Sequence, residues 1–363
     1  MKSENIMLLY SIKDAMEEID AEKKLIKLNK LLQFITKTLI ENKQYSIPTN
    51  IPELFTFLKT MPVNKYISEI TQDIYALDEY LNLAEEYIQY LDEENSDEKG
   101  QKLMYDLLKF LRQSQYSNKE DIYRELRKFI RYNYYISVRE LELAIKSKYD
   151  KEIYSKIYNM YEKANDLNGK YELCPVCGKS LNLKDSKNGE CINKVCNYYI
   201  NSQNLKPIVK EFKEKMLKLN DGIYKYNLMS SIGEFGLYNK CLGWFKDKDK
   251  DVILYPNVDE YDISIVDDIE DIRVNLDIKD SKDPMRLIKV LLESTNLEKL
   301  KKKEEGIFNL IVIPDHREKI YNLENNKSYT KELKNLLQEN NIEIEVLCER
   351  HLRNKLIRIF EEV

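Results

Sequence analysis

The sequence lacks any long apolar run, and it is poor in glycine, proline, tryptophan and histidine. Its 363 residues include 9 Gly, 8 Pro, 1 Trp and 2 His. Runs such as 308–313 fall far short of the roughly 18 apolar residues that a membrane-spanning helix needs. No small-residue cleavage site follows the short apolar stretch near the N-terminus. We therefore expect a cytoplasmic protein with no membrane role.

An excess of positive charge is also missing. The chain carries 58 Lys and Arg against 63 Asp and Glu, which gives a formal net charge of −5. Such a balance excludes a polycation that coats nucleic acid by bulk charge, so any nucleic-acid surface must be local. The sequence has no Gly-rich phosphate loop, no GxSxG and no HExxH, which disfavours ATP hydrolysis and serine-type chemistry. At 43% hydrophobic residues the chain is too apolar for a disordered protein.

The placement of proline and glycine divides the chain. No proline lies between Pro62 and Pro175, and Gly100 is the only glycine before Gly169. Apolar residues at three- and four-residue spacings fill residues 1–168, which predicts an all-helical region. Within it we expect helices at 65–92, 102–113, 119–138 and 140–164.

From about Gly222 the pattern changes to short β-branched runs that alternate with helical segments, which predicts an α/β domain. Strands are expected at 252–255, 261–266, 272–278, 308–313 and 342–347. Helices are expected at 230–242, 284–294, 329–339 and 350–361.

A basic and aromatic stripe lies in the helical region. Its cations are Arg124, Arg127, Lys128, Arg131 and Arg139, and its rings are Tyr123, Phe129, Tyr132, Tyr134 and Tyr135. Arginine among stackable rings suits a nucleic-acid surface. The same positions also fit a core stripe with a solvated basic face, which is the stronger interpretation because tyrosine is abundant throughout the chain.

Four of the six cysteines fall within 23 residues, namely Cys174, Cys177, Cys191 and Cys196. In a reducing compartment this spacing predicts a structural Zn²⁺ bound by four thiolates, with no coordination position left for a reactive water. The segment 169–205 resembles a zinc ribbon, although its second knuckle is longer than CxxC. Two alternatives remain open. Lys179, Lys184, Lys187 and Lys194 could contact nucleic acid, or Cys174 and Cys177 could form a redox dithiol.

Carboxylates and a lysine mark two predicted strands of the C-terminal region. Asp262 opens one strand, and Asp277 and Lys279 lie two residues apart on the next, so they project from one face. Adjacent antiparallel strands would bring two carboxylates and an ammonium together, as in a metal-dependent phosphodiesterase. The alternative is that these acids are solvated strand ends. Charges inside an apolar strand are costly, however, and usually have a reason to be present.

This arrangement of helix, strands and DIK triplet over residues 230–350 resembles the PD-(D/E)XK restriction-endonuclease-like fold. The resemblance implies that Asp262 and Asp277, with the backbone carbonyl of Ile278, hold Mg²⁺ or Mn²⁺, while Lys279 positions the attacking water. It also implies that Glu234 is the helix acid that assists the metal or water. Tyr261 stands where the family name has proline. The segments YDISI, LDIKD and LIVIPD are further similar to nucleases of prokaryotic conflict systems, including those encoded beside Piwi-like proteins.

The sequence thus predicts a multi-domain protein. Its parts are an all-helical domain at 1–168, a four-cysteine zinc ribbon at 169–205 and an α/β nuclease-like domain at 206–363. The expected activity is Mg²⁺-dependent cleavage of DNA, with RNA left open, together with protein partners of a multi-gene defence system. Cleavage of both strands would favour a dimer. The alternative is a non-catalytic nucleic-acid-binding or adaptor protein that contains an inactive nuclease-like domain.

Overall fold

The structure is a computed structural model that describes residues 4–41, 46–67, 70, 73–164, 169–181, 190–212, 215–246, 248–293, 296–302 and 304–361. Lys184 and Lys187, two of the lysines considered for nucleic-acid contact, lie outside these ranges. The chain forms two compact units, Met1–Glu98 and Lys99–Val363. Within the described ranges, no helix is both long enough and apolar enough to cross a membrane.

The first unit is helical. Its elements are α1 (Glu4–Glu17), α2 (Ala21–Glu41), α3 (Ile51–Thr60), a 3₁₀ turn at Val63–Lys65, and the beginning of α4 (Glu85–Gln113), which ends in the second unit. Asn50 caps α3 by accepting a hydrogen bond from the Glu53 N–H at 2.9 Å, a usual signal for a helix start. The core is formed by leucines and isoleucines such as Leu31, Ile35 and Leu54.

The helix expected at 65–92 is not formed as predicted, because a turn occupies its middle. The Asp78 carboxylate accepts hydrogen bonds from the backbone N–H groups of Tyr80 and Asn82, at 2.9 and 2.8 Å. Leu77 and Leu83 also pair as an isolated β-bridge. Asp often makes such local bonds at the expense of helix, and α4 therefore starts only at Glu85.

The second unit contains the remaining helices and all ten strands that the structure describes. The helices are α5 (Lys119–Tyr132), α6 (Val138–Leu141), α7 (Lys151–Tyr158), α8 (Lys194–Gln203), α9 (Asp221–Ile223), α10 (Met229–Phe245), the short turn α11 (Pro256–Asp259), α12 (Pro284–Glu293), α13 (Asn296–Lys301), α14 (Asp315–Asn325), α15 (Tyr329–Glu339) and α16 (Glu349–Glu361). π-helical turns occur at Glu142–Lys146 and Tyr224–Leu228.

The strands are β1 (Tyr135–Ser137), β2 (Tyr161–Lys163), β3 (Gly169–Leu173), β4 (Ile208–Phe212), β5 (Met216–Leu219), β6 (Asp251–Leu254), β7 (Ile263–Asp267), β8 (Ile272–Ile278), β9 (Ile307–Ile313) and β10 (Glu345–Cys348). A five-stranded mixed sheet has the order β10-β9-β8-β7-β6. Its β6, β7 and β8 are antiparallel, whereas β8, β9 and β10 are parallel. The central strand β8 alternates apolar residues with Arg273, Asn275 and Asp277, and all of its residues except Arg273 are buried.

Two short strands correct the expectation that residues 1–168 are all-helical. Strands β1 and β2 both pair antiparallel with β5, and the registers place Tyr135 opposite Lys218 and Tyr161 opposite Leu219. Their partner strand lies more than 50 residues further along the chain. Because local helical periodicity carries no information on such a distant partner, the sequence pattern could not reveal these strands.

A shared core connects the three predicted segments of the second unit. Ile130 of α5, Cys196 of the cysteine segment and Ile265 of β7 belong to one buried cluster. A second cluster lies under α12 and α15. The domain boundaries expected at 168 and 205 stay a proposal, while the compact units divide after Glu98.

Candidate active site

The predicted acids lie at one end of the antiparallel pair β7 and β8. The register places Ile263 opposite Leu276, and the Asp262 N–H donates to the Leu276 carbonyl at 3.2 Å. Asp262 is therefore held beside the last residues of β8. Its Oδ2 accepts a hydrogen bond from the Ile278 backbone N–H at 2.6 Å. The structure thus brings Asp262 to the strand end that carries Asp277 and Lys279.

Asp277 and Lys279 form an ion pair on one face of that strand end. Lys279 Nζ donates to Asp277 Oδ1 at 2.9 Å, which agrees with the period-two geometry of a strand. The backbone N–H of Lys279 donates to the Val312 carbonyl of β9 at 3.0 Å. The lysine is therefore fixed at its backbone and at its ammonium group.

The charged side chains at this site change one another's pKa values. Burial raises the pKa of the Asp262 carboxyl well above its usual value, and the Glu234 and Asp277 carboxylates raise it further. Burial alone would raise the pKa of Asp277, but the ammonium groups of Lys279 and Lys299 outweigh that effect and lower it. Burial alone would lower the pKa of Lys279, but the negative charges of its acidic neighbours, above all Asp277, have the larger effect and raise it. The two acids therefore differ in proton affinity although they lie at the same strand end.

The donor atoms fit a hard divalent cation. Asp277 Oδ2 is buried and has no hydrogen-bond partner among the described residues, a costly state for a carboxylate oxygen. The N–H and C=O of one strand residue point to the same side, so the Ile278 carbonyl points to the side from which its N–H reaches Asp262. Carboxylate and carbonyl oxygens are the ligands that Mg²⁺ and Mn²⁺ prefer.

Glu234 is engaged elsewhere. Its Oε2 accepts a hydrogen bond from Arg127 Nη2 at 2.6 Å and another from the Tyr255 hydroxyl. Among the described residues, the four cysteines are the only group of three or more Cys, His, Asp or Glu whose ligand atoms all lie within 4.8 Å of one another. Glu234 therefore does not form a compact three-carboxylate cluster with Asp262 and Asp277, and it acts on Asp262 by charge.

Arg127 is the ion-pair partner of Glu234, a role that was not predicted from the sequence. It is 6% exposed, and it also donates to Asn227 Oδ1 at 3.2 Å and to the Tyr255 hydroxyl at 3.2 Å. Its neighbour Arg131 donates to the Val176 carbonyl at 2.7 Å. Two cations of the predicted basic stripe therefore face the interior. A signal was present in the sequence, since Arg127 lies four residues after Tyr123 and three before Ile130, both of which are buried.

The four predicted zinc ligands come together in one cluster. All four thiols are buried, and the Sγ atoms of Cys177 and Cys191 are 3.7 Å apart. Gly178 adopts a φ of +79° and donates its N–H to the Cys174 carbonyl at 2.9 Å, which forms a tight knuckle. Hydrogen bonds from Cys174, Cys191 and Cys196 lower the pKa of Cys177. The same contacts raise the pKa of Cys191 and Cys196. A group of four close thiols suits a soft metal ion such as Zn²⁺.

The second knuckle is held by its own helix. Asn193 caps α8 by accepting the Val195 N–H at 2.9 Å, and this helix carries Cys196. Asn197 accepts the Cys191 N–H at 3.0 Å and donates to the Cys191 carbonyl at 2.8 Å. Strands β3 and β4, which pair antiparallel, precede and follow the cysteine segment. The longer second knuckle is thus compatible with a four-thiol site.

Lys179 and Lys194, the two described lysines among those considered for nucleic-acid contact, have intramolecular partners. Lys179 forms an ion pair with Asp221 at 3.3 Å and lies 4.2 Å from the centre of the Tyr224 ring. Lys194 pairs with Glu324. These contacts favour a structural role for both lysines.

The sequence itself matches a known family over part of its length. Residues 232–362 match the sequence model of a restriction-endonuclease-like family described as REase associating with pPIWI_RE. No curated protein matches the chain. The matched region contains Glu234, Asp262, Asp277 and Lys279, whereas the four cysteines precede it. The C-terminal region is therefore similar to a nuclease domain, and the cysteine centre lies outside that similarity.

Proposed function

We propose that this protein is a metal-dependent endonuclease that hydrolyses DNA and acts with a Piwi-like partner in a prokaryotic defence system. One observation carries the proposal. Asp262, Asp277 and Lys279 are positioned together at the end of a β-strand pair, inside a region that matches a restriction-endonuclease-like family named for its association with pPIWI_RE. The description of that family also supplies the partner class.

Each residue has a chemical role in this proposal. Asp262, Asp277 and the Ile278 carbonyl would hold Mg²⁺ or Mn²⁺. The bound metal would lower the pKa of a water molecule and neutralise charge on the scissile phosphate. Lys279 would act as a hydrogen-bond donor, as its ammonium does to Asp277 in the structure. It would orient the attacking water or stabilise the negative charge that develops on phosphorus oxygens.

Glu234 contributes through charge in this proposal. Its carboxylate raises the pKa of Asp262, and its contacts with Arg127 and Tyr255 keep it in place. Binding of a cation at Asp262 would be favoured by this additional negative charge. Both of these contacts are made by the Oε2 atom of Glu234.

The cysteine centre would hold a structural Zn²⁺. Four thiolates fill a tetrahedral site and leave no position for a reactive water. This zinc is chemically distinct from the cleavage metal, since its ligands are soft sulfur atoms. Its role would be to fold the segment that carries α8.

The proposal is tested by incubating wild type, Asp277→Ala and Lys279→Ala with supercoiled DNA, linear DNA and RNA in Mg²⁺ or Mn²⁺. We expect wild type to nick or cut DNA and both variants to fail while they remain folded and zinc-loaded. Cutting that survives both substitutions would exclude this site. If wild type is inert alone, the same proteins are compared with the Piwi-like partner present. Inertness in that complex as well would favour the non-catalytic adaptor.

A further inference from the structure

A buried hydrogen-bond network begins directly after the candidate active site. Asp280 follows Lys279 in the chain, and its carboxylate accepts a hydrogen bond from Arg317 Nε at 2.7 Å. Its second oxygen lies 2.9 Å from Nε2 of His316. His316 is fully buried. The backbone that carries Lys279 is therefore fixed to α14 through two side chains.

The other nitrogen of His316 leads to the cysteine segment. Nδ1 lies 3.1 Å from the Tyr199 hydroxyl, and Tyr199 is on α8, three residues after Cys196. Nε2–H can donate to the Asp280 carboxylate, while Nδ1 and the Tyr199 hydroxyl share the second hydrogen bond. The imidazole thus connects a carboxylate beside the active site with a helix of the cysteine centre.

Packing holds this connection in place. The ring centres of Tyr198 and Tyr199 lie 6.1 and 5.4 Å from that of His316, and Lys319 of α14 lies over Tyr198. A Cβ added at Gly233 would lie 3.9 Å from both His316 Cε1 and Ile278 Cγ2. The imidazole therefore lies close to the end of β8.

We propose that Tyr199, His316 and Asp280 are positioning residues that couple the cysteine centre to the metal site formed by Asp262 and Asp277. Cys196 fixes the first turn of α8, Tyr199 fixes His316, and His316 with Arg317 fixes Asp280. Loss of these hydrogen bonds would remove one restraint on the segment that follows Ile278, and would loosen the Ile278 carbonyl and the Lys279 ammonium that the site uses. The inference rests on the proposed function, because it assigns the consequence to that same site.

Titration calorimetry tests the coupling. It measures the binding of Mn²⁺ to the full-length, zinc-loaded protein and does not depend on cleavage. We expect Tyr199→Phe to weaken Mn²⁺ binding about fivefold, the effect of losing about one hydrogen bond. Zinc content should stay at the wild-type value. The matched control is Tyr198→Phe, which also keeps its ring and should bind Mn²⁺ like wild type. His316→Gln keeps a donor for Asp280 and should bind more tightly than His316→Ala.

The possible outcomes distinguish an error in the proposed metal site from an error in the proposed coupling. If Asp277→Ala binds Mn²⁺ as tightly as wild type, or wild type does not bind it, the metal site of the proposed function is wrong and the coupling falls with it. If Asp277→Ala abolishes binding but Tyr199→Phe and Tyr198→Phe both bind like wild type, only the coupling is overturned. Equal weakening by the two tyrosine variants would also overturn it, because the effect would then be general packing.

Discussion

Buried charges determine much of the chemistry at the end of β8, because a charge without a partner is costly there. The guanidinium of Arg127 and the carboxylate of Glu234 are each about 7% exposed at their side chains. Breaking a buried pair from one side leaves an uncompensated charge, whereas replacing both members by apolar residues is often tolerated. The stability of the protein should therefore respond differently when Arg127 and Glu234 are replaced singly and when they are replaced together.

Arg127→Leu should lower the free energy of unfolding by about 3–5 kcal/mol, because the Glu234 carboxylate would remain buried without its cation. The double variant Arg127→Leu/Glu234→Leu should recover part of that loss. Urea unfolding of the wild type and the three variants, including Glu234→Leu, measures both effects. Additive losses in the double variant would contradict a direct interaction between the two side chains.

Glu318 provides a residue-level test of pH dependence. Burial alone would raise its pKa, but hydrogen bonds from Ser328 and Thr330 lower it below the usual value. A carboxyl whose native pKa is lowered stabilises the fold above its unfolded pKa, and that stabilisation is lost as the pH falls through the native pKa. At pH 7, Glu318→Gln should therefore be less stable than wild type by about 1–3 kcal/mol, as expected for hydrogen bonds to a charged group.

The difference in free energy of unfolding between wild type and Glu318→Gln should become smaller as the pH falls below about 4, because the wild-type carboxyl is increasingly protonated there. Urea unfolding at a series of pH values measures it. Glu305→Gln, at an exposed acid, is the control and should show little difference from wild type. A Glu318→Gln difference that is the same at pH 7 and pH 3 would contradict the role of the charged carboxylate.

At the scale of elements, sequence periodicity predicted the helices and strands whose bounds depend on the local pattern of apolar and polar residues. Strand β8 and helix α15 begin and end where the apolar pattern places them, because both combine regular periodicity with flanking polar turns. Strand β10 begins three residues later than expected, and α14 was not predicted. The sequence of α14 is rich in charged and polar residues, although four of its side chains are buried. Its burial depends on α8 and α15, which local sequence does not show.

The cysteine centre should determine whether the segment before the nuclease-like region folds. We expect about one zinc per chain in the wild-type protein. Cys177→Ala should lose zinc and lower the melting temperature, since metal binding at such sites contributes directly to folding. Cys241→Ala, a buried cysteine of α10 outside the cluster, should keep its zinc. Elemental analysis with thermal unfolding measures both properties, and full zinc content in Cys177→Ala would contradict the assignment.

Helix α12 follows the candidate active site in the chain and carries exposed cations. Arg286 and Lys289 are exposed and have no ion-pair partner in the described part of the chain. If they contact DNA phosphates, the double variant Arg286→Gln/Lys289→Gln should reduce the slope of log affinity against log salt by about 2, since each contact contributes about 0.9. Fluorescence anisotropy with duplex DNA over a salt series measures this slope.

The control for α12 is Lys102→Gln/Lys109→Gln. These two exposed lysines of α4 change the net charge by the same amount. Equal slopes for both double variants would mean that only the overall charge matters, and α12 would then have no specific role in binding DNA.

For the molecule as a whole, the sequence predicted that Asp262, Asp277 and Lys279 lie close together, but it did not predict which residues surround them. Asp262, Asp277 and Lys279 could be assigned because two neighbouring strands and a two-residue spacing determine their proximity. Arg127 is 107 residues from Glu234, and Tyr199 is 117 residues from His316. Contacts over such distances depend on the tertiary fold, so no spacing rule could reveal them. The burial of Arg127 also corrects the expectation that the basic face of the stripe is solvated throughout.

The central claim is that the Asp277 carboxylate supports metal-dependent cleavage of DNA. The most direct measurement is the initial rate of nicking of supercoiled DNA in Mg²⁺ for wild type, Asp277→Asn and Asp267→Asn, with the Piwi-like partner if it is required. Asp267 is an equally buried acid at the other end of β7, where it pairs with Lys250. We predict a loss of about a hundredfold or more for Asp277→Asn and a near wild-type rate for folded Asp267→Asn. Equal rates for all three proteins would contradict the claim.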